Sequence, residues 1–296
     1  MMNLIKHKHI FLGASSILVL VSWILVATLD LKQGIDLKGG AEWRLTIQKG
    51  VSAEEIKTVL RANHPELNPI IKTGEKNEFV VRLPEIKEEA HQAYLETIKK
   101  TFGETEEVSF SNIGPTIGTE LRKQSIQAII AVLLGISLYI AWAFRKVSNP
   151  ITSWKYGVVT LLTLFHDVSI PTGLLAFLGW YKGIEIDTNF IVALLVVIGF
   201  SVHDTIVVFD RIRERLATKD KKDDMETIIN KSVQETMVRS INTSLTLVLI
   251  LLAVLFFGPS TLYYFILTIL VGTIIGTYSS IFVASPLIYI WRAKEK

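Results

Sequence analysis

Six long apolar segments, separated by polar stretches, dominate the hydrophobic pattern of this chain. They cover residues 10–29, 126–144, 157–178, 190–209, 239–257 and 264–290. A helix that crosses a bilayer needs about 20 predominantly apolar residues, and each segment comes close to that length. The pattern predicts a polytopic α-helical membrane protein with six transmembrane helices. Residues 1–9, 210–238 and 291–296 are left as a tail, a connecting loop and a second tail.

Residues 30–125, between the first two apolar segments, show the pattern of a folded α/β domain. Trp43, Leu45 and Ile47 alternate with polar residues, which predicts a strand, and Ser52 with Glu55 forms a capping box ahead of a helix. The predicted elements are a strand at 41–48, a helix from 53 to Pro65, strands at 69–72 and 78–83, a helix at 86–102 and a strand at 108–110. This β-α-β-β-α-β order predicts a small ferredoxin-like α+β domain.

Composition narrows the class of protein further. Half of the 296 residues are hydrophobic and none is cysteine, so the domain at 30–125 has no disulfide and the chain has no metal-thiolate site. The acidic residues of that domain fall in the first turns of its helices, where they complement the helix dipole. No catalytic constellation is present, and the sequence predicts neither an enzyme nor a cofactor.

The distribution of basic residues predicts how the chain is oriented. With the N-terminus in the cytoplasm, the inner tails and loops contain sixteen Lys and Arg, whereas the two short outer connections contain only Lys182. The positive-inside rule therefore favours cytoplasmic N and C termini and an extracytoplasmic domain at 30–125. The first apolar segment is longer than the apolar region of a signal peptide and lacks a small-residue cleavage pattern after it, so we expect it to remain as an anchor.

The fourth and fifth apolar segments are joined by a charged connection of mixed sign. Eight basic and seven acidic residues lie between 210 and 240, which is not the pattern of a nucleic-acid-binding patch. Residues 217–224 read as a charged loop. Residues 225–237 carry apolar side chains at helical spacing, which predicts an amphipathic helix that either lies along the membrane surface or leads into the fifth span.

Four ionisable residues lie inside the predicted spans: His166, Asp167, His203 and Asp204. A charge at the centre of a span costs at least about 2.5 kcal/mol on insertion scales, so each of them is a candidate functional residue. Asp204 lies about 7 Å inside the end of its helix. Arg239 enters the fifth span from the same side, and we expect the two side chains to form a pair that gates proton binding.

Each candidate also has a structural alternative. Asp204 and Arg239 would form a static salt bridge, and Asp167 would bind the backbone freed by Pro171, four residues further along. The two histidines would serve packing or hydrogen bonding. An intramembrane metal hydrolase that uses both His-Asp pairs is disfavoured, because adjacent helical residues point about 100° apart. Small residues at every fourth position of the last span, Gly272, Gly276 and Ser280, predict a helix-packing face.

Several segments resemble those of a known family. They are Gly34-Ile-Asp-Leu-Lys-Gly-Gly40, Ile113-Gly-Pro-Thr-Ile-Gly118, Gly199-Phe-Ser-Val-His-Asp-Thr-Ile-Val-Val-Phe-Asp-Arg-Ile-Arg-Glu214, Arg239-Ser-Ile-Asn-Thr-Ser-Leu245 and Gly276-Thr-Tyr-Ser-Ser-Ile281. In this order they resemble the SecD/SecF family of protein-export membrane proteins, in its SecF branch, within the RND superfamily. The segment at 34–40 is closer to the sequence usual in SecD than to that of SecF. His203 stands where the family commonly has Asn.

The resemblance implies a function and a set of partners. It implies a subunit of the bacterial inner membrane that works with SecD beside the SecYEG channel and uses the proton motive force to promote late translocation of a preprotein. It implies proton transport by Asp204 and Arg239, to which Asp167, His203 and His166 are added here as candidate relay residues. The motif residues Gly34, Asp36, Gly39 and Gly40 make a candidate hinge. The rival hypotheses are an RND-type half-transporter for a small molecule or lipid and a passive assembly factor.

Overall fold

The structure, a computed structural model, describes residues 3–48, 50–65, 67–74, 77–145, 151–217 and 224–293. Six helices in this part of the chain are long and apolar enough to cross a membrane. Five are α1 (Lys8–Leu29), α5 (Pro115–Ala143), α6 (Ser153–Lys182), α7 (Thr188–Ala217) and α8 (Met225–Phe257). The sixth, Ser260–Trp291, contains α9 (Tyr263–Ser279), a π-helical segment (Ser280–Ala284) and α10 (Ser285–Ala293). Six apolar helices confirm the predicted fold class.

Most of the helices extend beyond the apolar segments that predicted them. Helix α7 continues to Ala217, and α8 begins at Met225, so the amphipathic stretch at 225–237 is continuous with the fifth span. Hydropathy detects only the apolar centre of such a helix. The polar ends form the same backbone hydrogen bonds and therefore continue the helix without an apolar signal. Most of the predicted charged loop, residues 218–223, and the last tail residues, 294–296, lie outside the described residues.

The α/β domain between the first two apolar helices is a four-stranded antiparallel sheet with two helices. Its elements are β1 (Gly40–Ile47), α3 (Ala53–Asn63), β2 (Ile70–Thr73), β3 (Glu78–Leu83), α4 (Glu88–Phe102) and β4 (Thr105–Ile113). The strand order is β2-β3-β1-β4, with every neighbouring pair antiparallel. This is the split β-α-β arrangement that the order of predicted elements implies.

The core of this domain follows from the alternation in its sequence. Trp43, Leu45 and Ile47 on β1 are fully buried and pack with Ile56 and Leu60 of α3. The capping box forms as predicted, since the Ser52 hydroxyl accepts the Glu55 amide and the Glu55 carboxylate accepts the Ser52 amide. One apolar sheet face and two amphipathic helices therefore bury each other.

The glycine motif at 34–40 joins the domain to the start of α5. A short helix α2 (Ile35–Lys38) ends at Gly39, and both Gly39 and Gly40 have positive φ, 82° and 122°. A Cβ on Gly39 would lie 2.6 Å from the Pro115 Cα, and one on Gly118 would lie 2.5 Å from the Gly39 nitrogen. The segments at 34–40 and 113–118 thus meet at a contact that admits no side chain at Gly39 or Gly118.

The apolar helices form a separate unit of residues 1–32 and 127–296, while residues 33–126 form the other. Within the helical unit, α7 runs against α9. A Cβ on Gly272 would lie 2.2 Å from Val197, and one on Gly276 would lie 3.1 Å from the Ser201 Cβ. The small-residue face of α9 is therefore what allows α7 to approach closely.

Candidate functional site

Asp167 is the most deeply buried charged residue of the helical unit. It lies on α6 with no exposed surface, among three side-chain donors. The His166 Nδ1 is 2.9 Å from Oδ1, the Ser279 hydroxyl donates to Oδ2 over 2.8 Å, and the Ser201 hydroxyl donates to the same oxygen. Side chains on three helices, α6, α7 and α9, thus form hydrogen bonds with this carboxylate. The structural alternative for Asp167 predicts a hydrogen bond to the backbone freed by Pro171, whereas the hydrogen bonds observed here go to side chains.

His166 leaves one hydrogen-bonding nitrogen without a partner. Its ring is 4 % exposed, and Nε2 is buried and has no hydrogen bond among the described residues. The ring also lines an apolar groove of about 670 Å³ that is formed mainly by α1, with Trp23 and Phe165 on its walls. His166 therefore makes a hydrogen bond to Asp167 through one ring nitrogen and keeps the other without a partner among the described residues.

Asp204 lies on α7, in its half nearest to Ala217, and is 5 % exposed. Its Oδ2 accepts the Ser280 hydroxyl. No cationic group lies within ion-pair distance of this carboxylate in the part of the chain that the structure describes. Among the described residues, Asp204 is therefore a buried carboxyl group that is held by a hydroxyl and not by a salt bridge.

Arg239 and His203 are not brought to Asp204. The expected Asp204–Arg239 pair is not formed in this structure, in which Arg239 is exposed on α8 and makes no hydrogen bond or ion pair among the described residues. His203 is exposed on α7, because it points about 100° away from its neighbour Asp204. The static Asp204–Arg239 salt bridge is likewise not formed, because Arg239 lies on an exposed face of α8.

The two carboxylates instead meet neighbouring serines. Ser279, the last residue of α9, binds Asp167, and Ser280, the first residue of the π-helical segment, binds Asp204. Single-turn π segments inside α-helices are frequent at functional sites. Sequence reasoning missed Ser201 and Ser279 and took Ser280 only for a packing residue. The available signal was a Ser-Ser pair within an apolar helix, which identifies no partner until the helices are packed.

The described residues contain no cluster of three His, Cys, Asp or Glu that could hold a metal ion. The site consists of two separated carboxylates, one histidine and a set of hydroxyls, all inside an apolar bundle. Intramembrane carboxylates of this kind line ion pathways. Together with the inserted α/β domain, they define a multi-pass membrane transport protein.

Comparisons with known proteins identify the family. Residues 93–294 match the family model described as "Protein export membrane protein SecD/SecF, C-terminal". The chain belongs to the SecD/SecF family and, within it, to the SecF subunits of the Sec protein translocase; it is a transport protein and not an enzyme. The "Protein translocase subunit SecF" of Thermobaculum terrenum is 41% identical over 100% of this chain and 95% of the relative.

Some relatives are much longer than this chain. The "Protein translocase subunit SecDF" of Thermus thermophilus is 35% identical over 88% of this chain and 35% of its own length. The crystal structure described as "SecDF, a translocon-associated membrane protein" from the same organism superposes with a TM-score of 0.84 at 32% identity. It covers 100% of this chain, and this chain spans 39% of that one. The fold is therefore that of one part of SecDF.

Proposed function

We propose that this chain works with SecD beside the SecYEG channel of the bacterial inner membrane, where the proton motive force promotes late translocation of a preprotein. The observation that supports this most directly is Asp204, a carboxylate 5 % exposed within an apolar helix and held by a hydroxyl instead of a cation. A proton that crosses 100 mV supplies about 2.3 kcal/mol. Binding and release at Asp204 would use that energy to shift the packing of α7 against α9.

The remaining ionisable residues have distinct parts in the proposal. Asp167 and His166 form a second proton-binding group, because the free Nε2 of His166 and the buried carboxylate are linked by a hydrogen bond. Arg239 and His203 lie on exposed faces of α8 and α7. An arginine that faces lipid within a span is unfavourable, so we place SecD against the face of α8 that carries Arg239. Arg239 would then reach Asp204 only after this chain and SecD change their arrangement.

The orientation follows from charge. The tails and loops of the proposed inner side contain sixteen basic residues and the two short outer connections contain one, which favours cytoplasmic termini and an extracytoplasmic α/β domain. The domain would then lie where a polypeptide emerges from the channel. Gly39 and Gly40 both have positive φ, and Gly39 lies against Pro115, so this pair would carry motion from the start of α5 to β1. A small-molecule half-transporter has no comparable support, because the relatives are translocase subunits.

The test compares Asp204→Asn with wild type and with a matched control. Inverted membrane vesicles would contain SecYEG, SecD and this chain at equal levels, and gradient-stimulated preprotein import would be measured. Asp210→Asn is the control, because Asp210 lies on the same helix but is exposed and paired with Arg213. We expect Asp204→Asn to abolish the stimulation while import driven by ATP alone survives. Stimulation that persists would leave the passive assembly factor as the better hypothesis.

A further inference from the structure

The serines that bind the two buried carboxylates each have a second acceptor within reach. The Ser280 hydroxyl lies 3.0 Å from the Thr277 carbonyl oxygen as well as against Asp204. The Ser279 hydroxyl lies 3.0 Å from the Gly276 carbonyl oxygen and 2.8 Å from Asp167. A serine hydroxyl has one proton and donates one full hydrogen bond at a time. Each serine therefore has two alternative orientations, one toward another helix and one toward its own.

The charge of the carboxylate decides between these orientations. An ionised carboxylate only accepts hydrogen bonds, and a hydrogen bond to a charged group is roughly twice as strong as a neutral one. It therefore holds the serine hydroxyl across the helix interface. A protonated carboxyl carries its own O–H, which can donate to the serine oxygen, and the serine proton is then free to turn to the carbonyl three residues earlier. No covalent bond changes except the one that binds the proton to the carboxylate.

The position of the serines gives this rotation a structural consequence. The backbone hydrogen-bond pattern changes at Ser280 from α-helical to π-helical, and the Ser280 carbonyl also accepts the Ser285 hydroxyl five residues on. Both serines are fully buried, so water does not compete for their hydrogen bonds. Side-chain donation to carbonyls of the same helix bends helices. A turn of the chain whose hydrogen bonding is already irregular is where such a bend needs the least rearrangement.

We propose that Ser279 and Ser280 are paired hydroxyl switches that read the protonation of Asp167 and Asp204 and convert it into a change at the π-helical segment of the sixth helix. The proposal rests on the proposed function for its role in transport, since that function supplies the protons. It assigns a positioning role to both serines. Each serine reads one carboxylate, because Ser279 binds Asp167 on α6 and Ser280 binds Asp204 on α7.

Shape-matched variants separate the hydroxyl from its volume. Ser280→Thr keeps the hydroxyl, and Ser280→Val replaces it with a side chain of the same size as threonine. The same two variants can be made at Ser279. Thr268→Val is the control, because Thr268 carries a fully buried hydroxyl on α9 whose one hydrogen bond among the described residues goes to the Tyr264 carbonyl. The complex with SecD would be reconstituted in vesicles. Infrared difference spectra between acid and alkaline pH would then report the carboxyl bands, assigned by their loss in Asp204→Asn and Asp167→Asn.

The proposal requires a pairwise pattern. Ser280→Val should alter the Asp204 band and Ser279→Val the Asp167 band, whereas the threonine variants and Thr268→Val should leave both unchanged. In gradient-driven import, each valine variant should lose about 10- to 160-fold, the loss expected for a hydrogen bond to a charged group.

The outcomes distinguish the two proposals. Valine variants that alter neither band, or that alter both bands alike, would overturn the serine switch even if gradient-driven import is normal in wild type. The pairwise infrared pattern in a wild-type complex that shows no gradient-driven import would support the switch and overturn the proposed function. Threonine variants that behave like the valine variants would show that shape and not the hydroxyl matters, which also contradicts the switch.

Discussion

Val197 occupies the space that a side chain on Gly272 would need. A Cβ added to Gly272 would lie 2.2 Å from one Val197 methyl carbon and 2.7 Å from the other. The contact lies on the same interface of α7 and α9 as the Asp204–Ser280 hydrogen bond, two turns away along both helices. Packing at this pair therefore sets how closely the helix that carries Asp204 approaches the helix that carries its serine partner.

Gly272→Ala should destabilise the helical unit by about 1–3 kcal/mol, the usual cost of an extra methyl in a closely packed interface. Val197→Ala combined with it should restore most of the loss, because the methyl groups in contact are then absent. Thermal unfolding in detergent measures both. Gly135→Ala is the control, since a Cβ there would meet no described atom within 4 Å apart from its chain neighbours and the adjacent backbone of its own helix. Equal effects at Gly272 and Gly135 would contradict the packing argument.

Gly39→Ala and Gly103→Ala separate backbone strain from steric contact. Both glycines have φ of 82°, but a Cβ on Gly39 would lie 2.6 Å from the Pro115 Cα, whereas one on Gly103 meets nothing within 4 Å. We expect Gly103→Ala to cost about 1–2 kcal/mol from the left-handed backbone alone. Gly39→Ala should cost clearly more. Chemical denaturation followed by tryptophan fluorescence measures the difference, and equal costs would show that the contact at Pro115 relaxes freely.

The capping box of α3 predicts a pH-dependent local stability. The pKa of Glu55 is lowered first by its hydrogen bond from the Ser52 backbone amide and then by the Ser52 hydroxyl. Because the folded-state pKa lies below the ordinary value, the stabilisation is fully present above that ordinary value and is lost as the pH falls through the folded-state pKa. Hydrogen exchange of the α3 amides, corrected for intrinsic rates, should show this loss.

Glu55→Gln should remove this pH dependence, and Ser52→Ala should destabilise the first turn of α3 by about 1 kcal/mol, the usual cost of a lost N-cap. Ser52→Thr keeps a capping hydroxyl and serves as the control. Persistence of the acid-dependent opening in Glu55→Gln would mean that another group of the domain is responsible for it.

Arg239→Gln tests whether the exposed face of α8 meets another chain. Arg239 makes no ion pair or hydrogen bond among the described residues, so the substitution should change the thermal stability of the isolated chain by less than about 0.5 kcal/mol. In the complex with SecD the same variant should reduce co-purification or gradient-driven import. A loss of stability in the isolated chain would indicate that Arg239 packs within this polypeptide and would contradict its assignment to the interface.

Local patterns were sufficient for much of this fold. Apolar runs of about 20 residues have few alternatives to a spanning helix, because backbone polar groups in a bilayer must be satisfied within the segment. Alternation on β1 and helical spacing on α3 and α4 likewise fix which side chains face a common core. The small-residue repeat from Gly272 predicted close approach of another helix, although the repeat did not identify α7 as that helix.

The carboxylates of the candidate site were predictable from the sequence, but their hydrogen-bond partners were not. The cost of a charge in a bilayer singles out Asp167 and Asp204 from the sequence alone, since that cost depends on residue type and depth. Their partners depend on how the helices rotate and pack, and helical spacing does not determine that. For this reason Arg239, at the right depth for Asp204, lies on another face of the bundle, while Ser279 and Ser280, unremarkable in sequence, bind both carboxylates. Depth and polarity are local properties of a sequence, whereas proximity between helices is decided only by tertiary packing.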